Sequence, residues 1–417
     1  MKRILCIAIL LCSACVDLSD NPVDVVSDTS TPETREIAYP FPQHVTYAEG
    51  SIMPNHRTQE QLDGDVRAFY DDWKDNYIAD DGFADDGFPI YRVALGRDDP
   101  LYSSTVSEGQ GYGMIIVPLM AGYDADAQTI FDGLWEFVKA HPSEIDPRLM
   151  DWHVPEDDGN DTAFDGDADI AFGLLLADAQ WGSDGRVNYK AEAVKMINGI
   201  LDSTIGPESH LPMLGDWVNY GDPKFNQYTP RSSDFMLVNF RAFSKATTPV
   251  WDDVILQSQK VMLNIQDVYS PVTGLLPDFI ENGKPASPNF HENITDGAYA
   301  YNAGRDPWRV GLDALLYNDP SSRQIALKIS RWIQLEARNN PFNIRAGYEL
   351  DGTPLPDSDY FTTFFVAPLG VAAMNDPAQQ EWLNKIYDSV YDTEIDYYED
   401  SVNLLCLLVM TGNFWAP

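Results

Sequence analysis

Carboxylates set beside glycine and aromatic residues are the side chains of this sequence whose types and spacing suggest chemistry. In Ser107-Glu108-Gly109-Gln110-Gly111-Tyr112-Gly113-Met114 one carboxylate opens a stretch that turns apolar at Met114, as at a helix N-terminus, and its small neighbours leave room for a substrate. An acid stabilised there only by the helix dipole has the same appearance. In Ala163-Phe164-Asp165-Gly166-Asp167-Ala168-Asp169-Ile170-Ala171 three acids alternate where a loop runs into the apolar face Leu174 to Ala177. Ile170 occupies the place where an EF-hand needs its turn glycine, which argues against calcium. Helix capping explains Asp167 or Asp169 singly better than all three acids together. Hydrolysis of a glycosidic bond needs such a set: one carboxyl protonates the leaving oxygen and another activates water. Ten tryptophans and 21 tyrosines offer flat faces for sugar rings, although most of them serve the core.

Other chemistries lack their residues. There is no GxSxG elbow, HExxH or GxxxxGK loop, the CxxC spacing of Cys12 and Cys15 falls in the N-terminal apolar segment, and the six histidines are scattered. The Gly109, Gly111 and Gly113 run has no lysine after it, so a phosphate site is not expected. No metal or cofactor is expected either. A net charge of -38, from 65 acidic and 27 basic residues, repels nucleic acid and acidic polysaccharides. It would keep a surface hydrated in salt, and it would also attract a cationic polymer such as chitosan.

The elements that must position these acids read as helices. Apolar residues recur at helical spacing through Val66, Phe69, Tyr70, Trp73 and Tyr77, through Ile130, Phe131, Leu134, Trp135 and Val138, and through Trp382, Leu383, Ile386, Tyr387 and Val390. Similar stretches lie near 170–179, 191–201, 254–265, 325–333, 364–374 and 401–410, while two-residue alternation is scarce. Long loops rich in Gly, Pro, Asp and Trp span 149–164, 211–233 and 273–302; loops of that length in a compact domain usually carry function.

Met1-Lys2-Arg3, the apolar run Ile4 to Leu11 and Cys12-Ser13-Ala14-Cys15 read as an export signal ending in a lipobox, residues 1–15, with a plain signal peptide as the alternative. Lipidated Cys15 would be the membrane attachment, residues 16–46 a disordered tether, and residues 47–417 one catalytic domain, an exported monomer. Of the four cysteines only Cys406 remains in that domain, packed in an apolar run.

The motifs SEGQGYGM, AFDGDADIAFGLLLADAQW and YNAGRDPWR together resemble glycoside hydrolase family 8 over nearly the whole domain. Phe164 and Gly173 depart from that family's signature. The resemblance implies an all-α fold, an (α/α)6 barrel of six helical hairpins, and hydrolysis with inversion. It implies Glu108 as the general acid and Asp165 as a residue gripping the sugar at the cleavage point. Many members carry Asp where this chain has Asn302, and an amide cannot be a base. A branch that includes chitosanases and lichenases takes the base from the preceding loop, which here holds Glu292; Glu281 and Asp278 are the alternatives, and Asn302 would orient the water. Trp152, Trp217 and Tyr301 are expected to stack on sugar rings. Asp234 is expected to bind a hydroxyl or to cap the helix after it, and Arg305 and Arg309 to pair with buried acids. The expected activity is an inverting endo-β-1,4-glucanase on cellulose-like or mixed-linkage glucan. Chitosanase and a non-catalytic surface glycan-binding lipoprotein are the alternatives, and xylan stays open as a substrate.

Overall fold

The computed structural model describes residues 37–96, 102–155 and 160–417. The expected signal peptide, the lipobox with Cys15 and most of the expected tether lie outside the described residues.

The chain runs through α1 (Gln59–Tyr77), β1 (Ile78–Phe83), β2 (Pro89–Val93), β3 (Thr105–Val106), α2 (Ser107–Leu119), α3 (Ala127–Ala140), β4 (His153–Val154), α4 (Phe164–Trp181) and α5 (Tyr189–Ser203). It continues with α6 (Leu237–Ala246), α7 (Val250–Val268), β5 (Ile280–Glu281), β6 (Lys284–Pro285), α8 (Asp306–Tyr317), α9 (Pro320–Glu336), α10 (Thr363–Ala373), α11 (Gln380–Val390) and α12 (Tyr397–Met410). The even-numbered helices pack in sequence, α2 on α4, α4 on α6, α6 on α8, α8 on α10 and α10 on α12, and α12 returns to α2 to close a ring. Outside it α3, α5, α7, α9 and α11 each pack on the helix before them, and α1 packs on α12. This is the (α/α)6 barrel of six hairpins.

The two rings differ as burial requires. Every residue of α10 is buried, as are Ser401 to Met410 of α12, Cys406 among them. A helix apolar on all sides belongs in an interior. By contrast α1 buries one stripe, Leu62, Val66, Phe69, Tyr70, Trp73 and Tyr77, and starts at a capping box between Thr58 and Gln61.

The contact between α2 and α4 explains the glycine run. A β-carbon on Gly111 would sit 2.7 Å from the Asp169 β-carbon, and one on Gly173 would sit 2.6 Å from the Met114 carbonyl oxygen. These glycines let two inner helices approach backbone to backbone.

Two features depart from expectation. Strands β1 and β2 form an antiparallel hairpin with Ile78 opposite Val93 and an irregularity between Asp80 and Phe83. Its acids and glycines carry no alternating pattern, so the sequence hides it. Residues 37–46, expected in the tether, lie on the barrel: Ala38 and Phe41 donate N–H groups to the carbonyls of Gln180 and Ala121, Phe41 is buried, and Tyr39 stacks on Trp415 at 4.4 Å.

Candidate active site

The N-terminal ends of α2, α4 and α12, and the turn leading into α8, meet around one cleft of about 490 Å3. Glu108 is the second residue of α2 and Asp165 the second of α4. Trp152, from the loop before α4, Tyr301 and Asn302 before α8, and Asp396, Tyr397 and Tyr398 at the start of α12 complete its walls together with Arg231, Glu292 and Arg305.

Arg305 organises the floor. Its Nη1 donates to Glu108 Oε1 and, at 2.7 Å, to Asp165 Oδ2, while Nη2 donates to Ser233 Oγ at 2.9 Å and to Asn302 Oδ1 at 3.1 Å. Tyr112 gives Glu108 a further hydrogen bond at 2.8 Å, one helical turn along α2. These partners do not treat the two carboxyls alike. Burial raises the Glu108 carboxyl, and although Arg305 pulls it down, the neighbouring Asp165 charge helps to keep it above the ordinary glutamate value. Burial would raise Asp165 as well, but Arg305 and Arg231 outweigh it and hold the group at about 2. One carboxyl is thus held above its ordinary value and the adjacent one below it, a division that acid catalysis uses.

Glu292 is supported from behind. The carboxylate of buried Asp296 accepts the backbone N–H groups of His291, Glu292 and Asn293 at 2.6, 3.1 and 2.9 Å, which folds the loop around it. The Glu292 side chain reaches the cleft, where Oε2 accepts from Asn302 Nδ2 at 2.9 Å. The two alternatives are placed differently. Asp278 is buried, and its Oδ1 gathers the N–H groups of Ala300, Asn302 and Ala303 at 3.0, 3.1 and 2.7 Å; burial raises it to about 7 despite those donors. Glu281 lies on β5 and takes the Ser287 hydroxyl at 3.2 Å, outside the residues that line the cleft.

The remaining expected residues divide. Trp152 and Tyr301 line the cleft, and Tyr301 stacks on Phe364 at 5.2 Å and meets Tyr360 hydroxyl to hydroxyl at 3.0 Å. Trp217 does not line it; its ring rests on Phe225 at 5.3 Å and His291 at 5.8 Å, under the Glu292 loop. Asp234 corrects the capping expectation, because α6 has Met236 at its N-cap position and no side-chain cap. Asp234 is wholly buried, and burial raises its carboxyl to about 7. Arg309 does pair with a buried acid, Asp169, through two hydrogen bonds of 3.1 and 2.6 Å. Arg305 pairs with acids too, but inside the cleft. Asp396, Tyr397 and Tyr398 were not found from the sequence; the signal available was the Asp396 cap, which takes the N–H groups of Tyr398 and Glu399.

Residues 63–412 match the sequence profile of glycosyl hydrolases family 8. The chain is 41% identical over 390 residues to a beta-glucanase of Niallia circulans, covering 90% of this chain and 91% of that one. It is 40% identical over 388 residues to an endoglucanase of Bacillus sp. strain KSM-330, covering 91% and 82%. The structure superposes on that of an apo beta-1,3-1,4-glucanase from Paenibacillus sp. X4 with a TM-score of 0.86 at 40% identity, over 92% of this chain and all (100%) of that one. A cold-adapted family 8 xylanase shares the fold with a TM-score of 0.70 at 19% identity, over 87% and 95%. With two carboxyls of opposed acidity at the centre of a helical barrel, and with relatives of this closeness along nearly its whole length, the chain is a glycoside hydrolase that belongs to glycosyl hydrolases family 8.

Proposed function

We propose that the protein is an inverting endo-β-1,4-glucanase acting on mixed-linkage or cellulose-like glucan, with Glu108 as general acid, Glu292 as general base and Asp165 holding the sugar at the cleavage point. The observation that carries this reading is that Glu108 and Glu292 border one cleft and are joined through Arg305 and Asn302, with ionised Asp165 on the floor between them. Inversion needs a water between base and sugar, and the acid and base then stand about 6.5–9.5 Å apart. Asn302 fills the position that usually holds the base; as an amide it can present one end to Glu292 and the other to Arg305, as it does here. Asp278 is a poor base by comparison, because three backbone donors converge on its Oδ1 and it is buried outside the residues that line the cleft. The glucan preference follows the relatives named beta-glucanase and beta-1,3-1,4-glucanase.

Chitosanase is the second reading, and one observation favours it: the exposed Asp396 carboxylate on the cleft wall is a counter-charge for a glucosamine ammonium. Reducing-end release from barley β-glucan, carboxymethylcellulose, xylan and chitosan separates the readings. Glu292→Gln should lose about 10²–10⁴-fold in kcat, while Glu281→Gln should keep most of it. Full activity in Glu292→Gln would remove the base assignment, and turnover of chitosan alone would replace the substrate. Export and lipid attachment at Cys15 belong to the same proposal; palmitate labelling lost in Cys15→Ser is the outcome they require.

A further inference from the structure

Arg231 precedes the single turn Ser232–Asp234 that leads into α6, and its guanidinium reaches both the floor of the cleft and the loop that bears Glu292. Nη1 lies 3.5 Å from Asp165 Oδ2 and 3.7 Å from Asp234 Oδ1, and Nη2 lies 3.4 Å from Glu292 Oε1. The Phe279 ring flanks the guanidinium at 5.4 Å. Glu292 therefore has a separate donor for each oxygen, the Asn302 amide on Oε2 and Arg231 on Oε1. That matters because the Glu292 side chain is 40% exposed on a loop, where a free glutamate would distribute over several rotamers. A guanidinium is a planar fork able to serve two carboxylates at once, and contacts of this length tighten when substrate fills a site.

We infer that Arg231 is a positioning residue for the general base: anchored by Asp165 and by buried Asp234, it aims the Glu292 carboxylate at the attacking water. This rests on the reading of Glu292 as the base. It also gives Asp234 a purpose, since neither of its buried oxygens has a hydrogen-bond partner. Its Oδ1 faces Arg231 Nη1 at 3.7 Å, so Asp234 backs the guanidinium and, as it ionises near pH 7, becomes the counter-ion that keeps it in place.

The test is a double-mutant cycle in the full-length enzyme, with Arg231→Lys, Glu292→Gln and the double variant assayed on a reducing-end-labelled β-glucan oligosaccharide at high enzyme concentration. Lysine keeps the charge beside Asp165 and Asp234, but a single ammonium cannot span Asp165 and Glu292. Arg231→Lys should lower kcat roughly ten- to hundredfold with KM nearly unchanged, and in the Glu292→Gln background it should cost almost nothing further. Asp234→Asn, which does not contact Glu292, should reproduce part of the kcat loss with KM kept when assayed at pH 8, where Asp234 is ionised. An equal loss from Arg231→Lys in both backgrounds, or a raised KM with kcat intact, would overturn the inference and make Arg231 a partner of Asp165 or the sugar. Full kcat in Asp234→Asn would overturn the counter-ion role. Full activity in Glu292→Gln is read from that variant alone and would remove the base assignment first.

Discussion

As the proposed general acid, Glu108 has to reach the sugar protonated, and its surroundings oppose each other on this point. Burial and the Asp165 charge favour the acid while Arg305 draws it toward the anion, and the balance lies above the ordinary glutamate value. Activity should therefore fall on the alkaline side as Glu108 loses its proton, and Glu108→Gln, which cannot give up a proton, should lower kcat/KM by about 10²–10⁴-fold at every pH. A variant that retained a normal alkaline limb would move the acid elsewhere. Glu108, Asp165, Asn302 and Tyr301 were legible in the sequence because short motifs surround them. Arg305 was legible as an arginine beside acids but not as part of the cleft. Tyr397 and Tyr398 were not legible, since ring closure of α12 onto α2 brings them beside Glu108 from far along the chain.

At the scale of elements, the seam between α2 and α4 sets where Glu108 and Asp165 stand. Gly166 belongs to that seam: a β-carbon there would lie 2.6 Å from the Ser107 backbone carbon, one residue before Glu108. Gly166→Ala must push the two helix starts apart, which should cost about 1–3 kcal/mol and depress kcat as well as Tm. Gly64 on α1 is the control. A β-carbon there meets only the end of the Arg67 side chain at 3.8 Å, so Gly64→Ala should stabilise by up to about 1 kcal/mol and leave kcat alone. Calorimetry and initial rates on both variants decide the matter; equal behaviour would mean that the seam does not position the acid. Most helices were readable as apolar stretches, whereas α8 was not, because it opens with Asp306-Pro307 inside the YNAGRDPWR motif, whose composition reads as a loop. The start of the folded domain was misjudged for a related reason. Residues 37–46 have the composition of a tether, yet Phe41 is buried and Tyr39 covers Trp415. A chain lacking residues 1–46 should consequently melt several degrees below one lacking residues 1–36.

For the molecule as a whole, charge and burial act on stability in the same direction. Burial raises Asp234 and Asp278 to about 7, and burial together with a hydrogen bond to Asp396 raises Glu399 to about 8. In the unfolded chain such groups titrate near about 3.9 for Asp and 4.3 for Glu. Between those values the native state holds more protons than the unfolded one, so stability falls as pH rises. The contribution of these groups is fully present below about pH 4 and is lost as pH passes 7 to 8. Asp165, held at about 2, works with the opposite sign, but its contribution is lost only as pH falls from about 4 toward 2. Above pH 4 the excess of acids adds self-repulsion, with a net charge of -38 at pH 7. Tm measured by scanning calorimetry should therefore be higher at pH 5.5 than at pH 8. Added salt should raise Tm at pH 8 by screening the repulsion, without removing the whole difference, because the buried carboxyls are screened far less. A Tm that rose with pH across this range would mean that Asp234, Asp278 and Glu399 are ionised in the native state. If salt abolished the difference completely, the repulsion alone would account for it and the buried acids would contribute nothing.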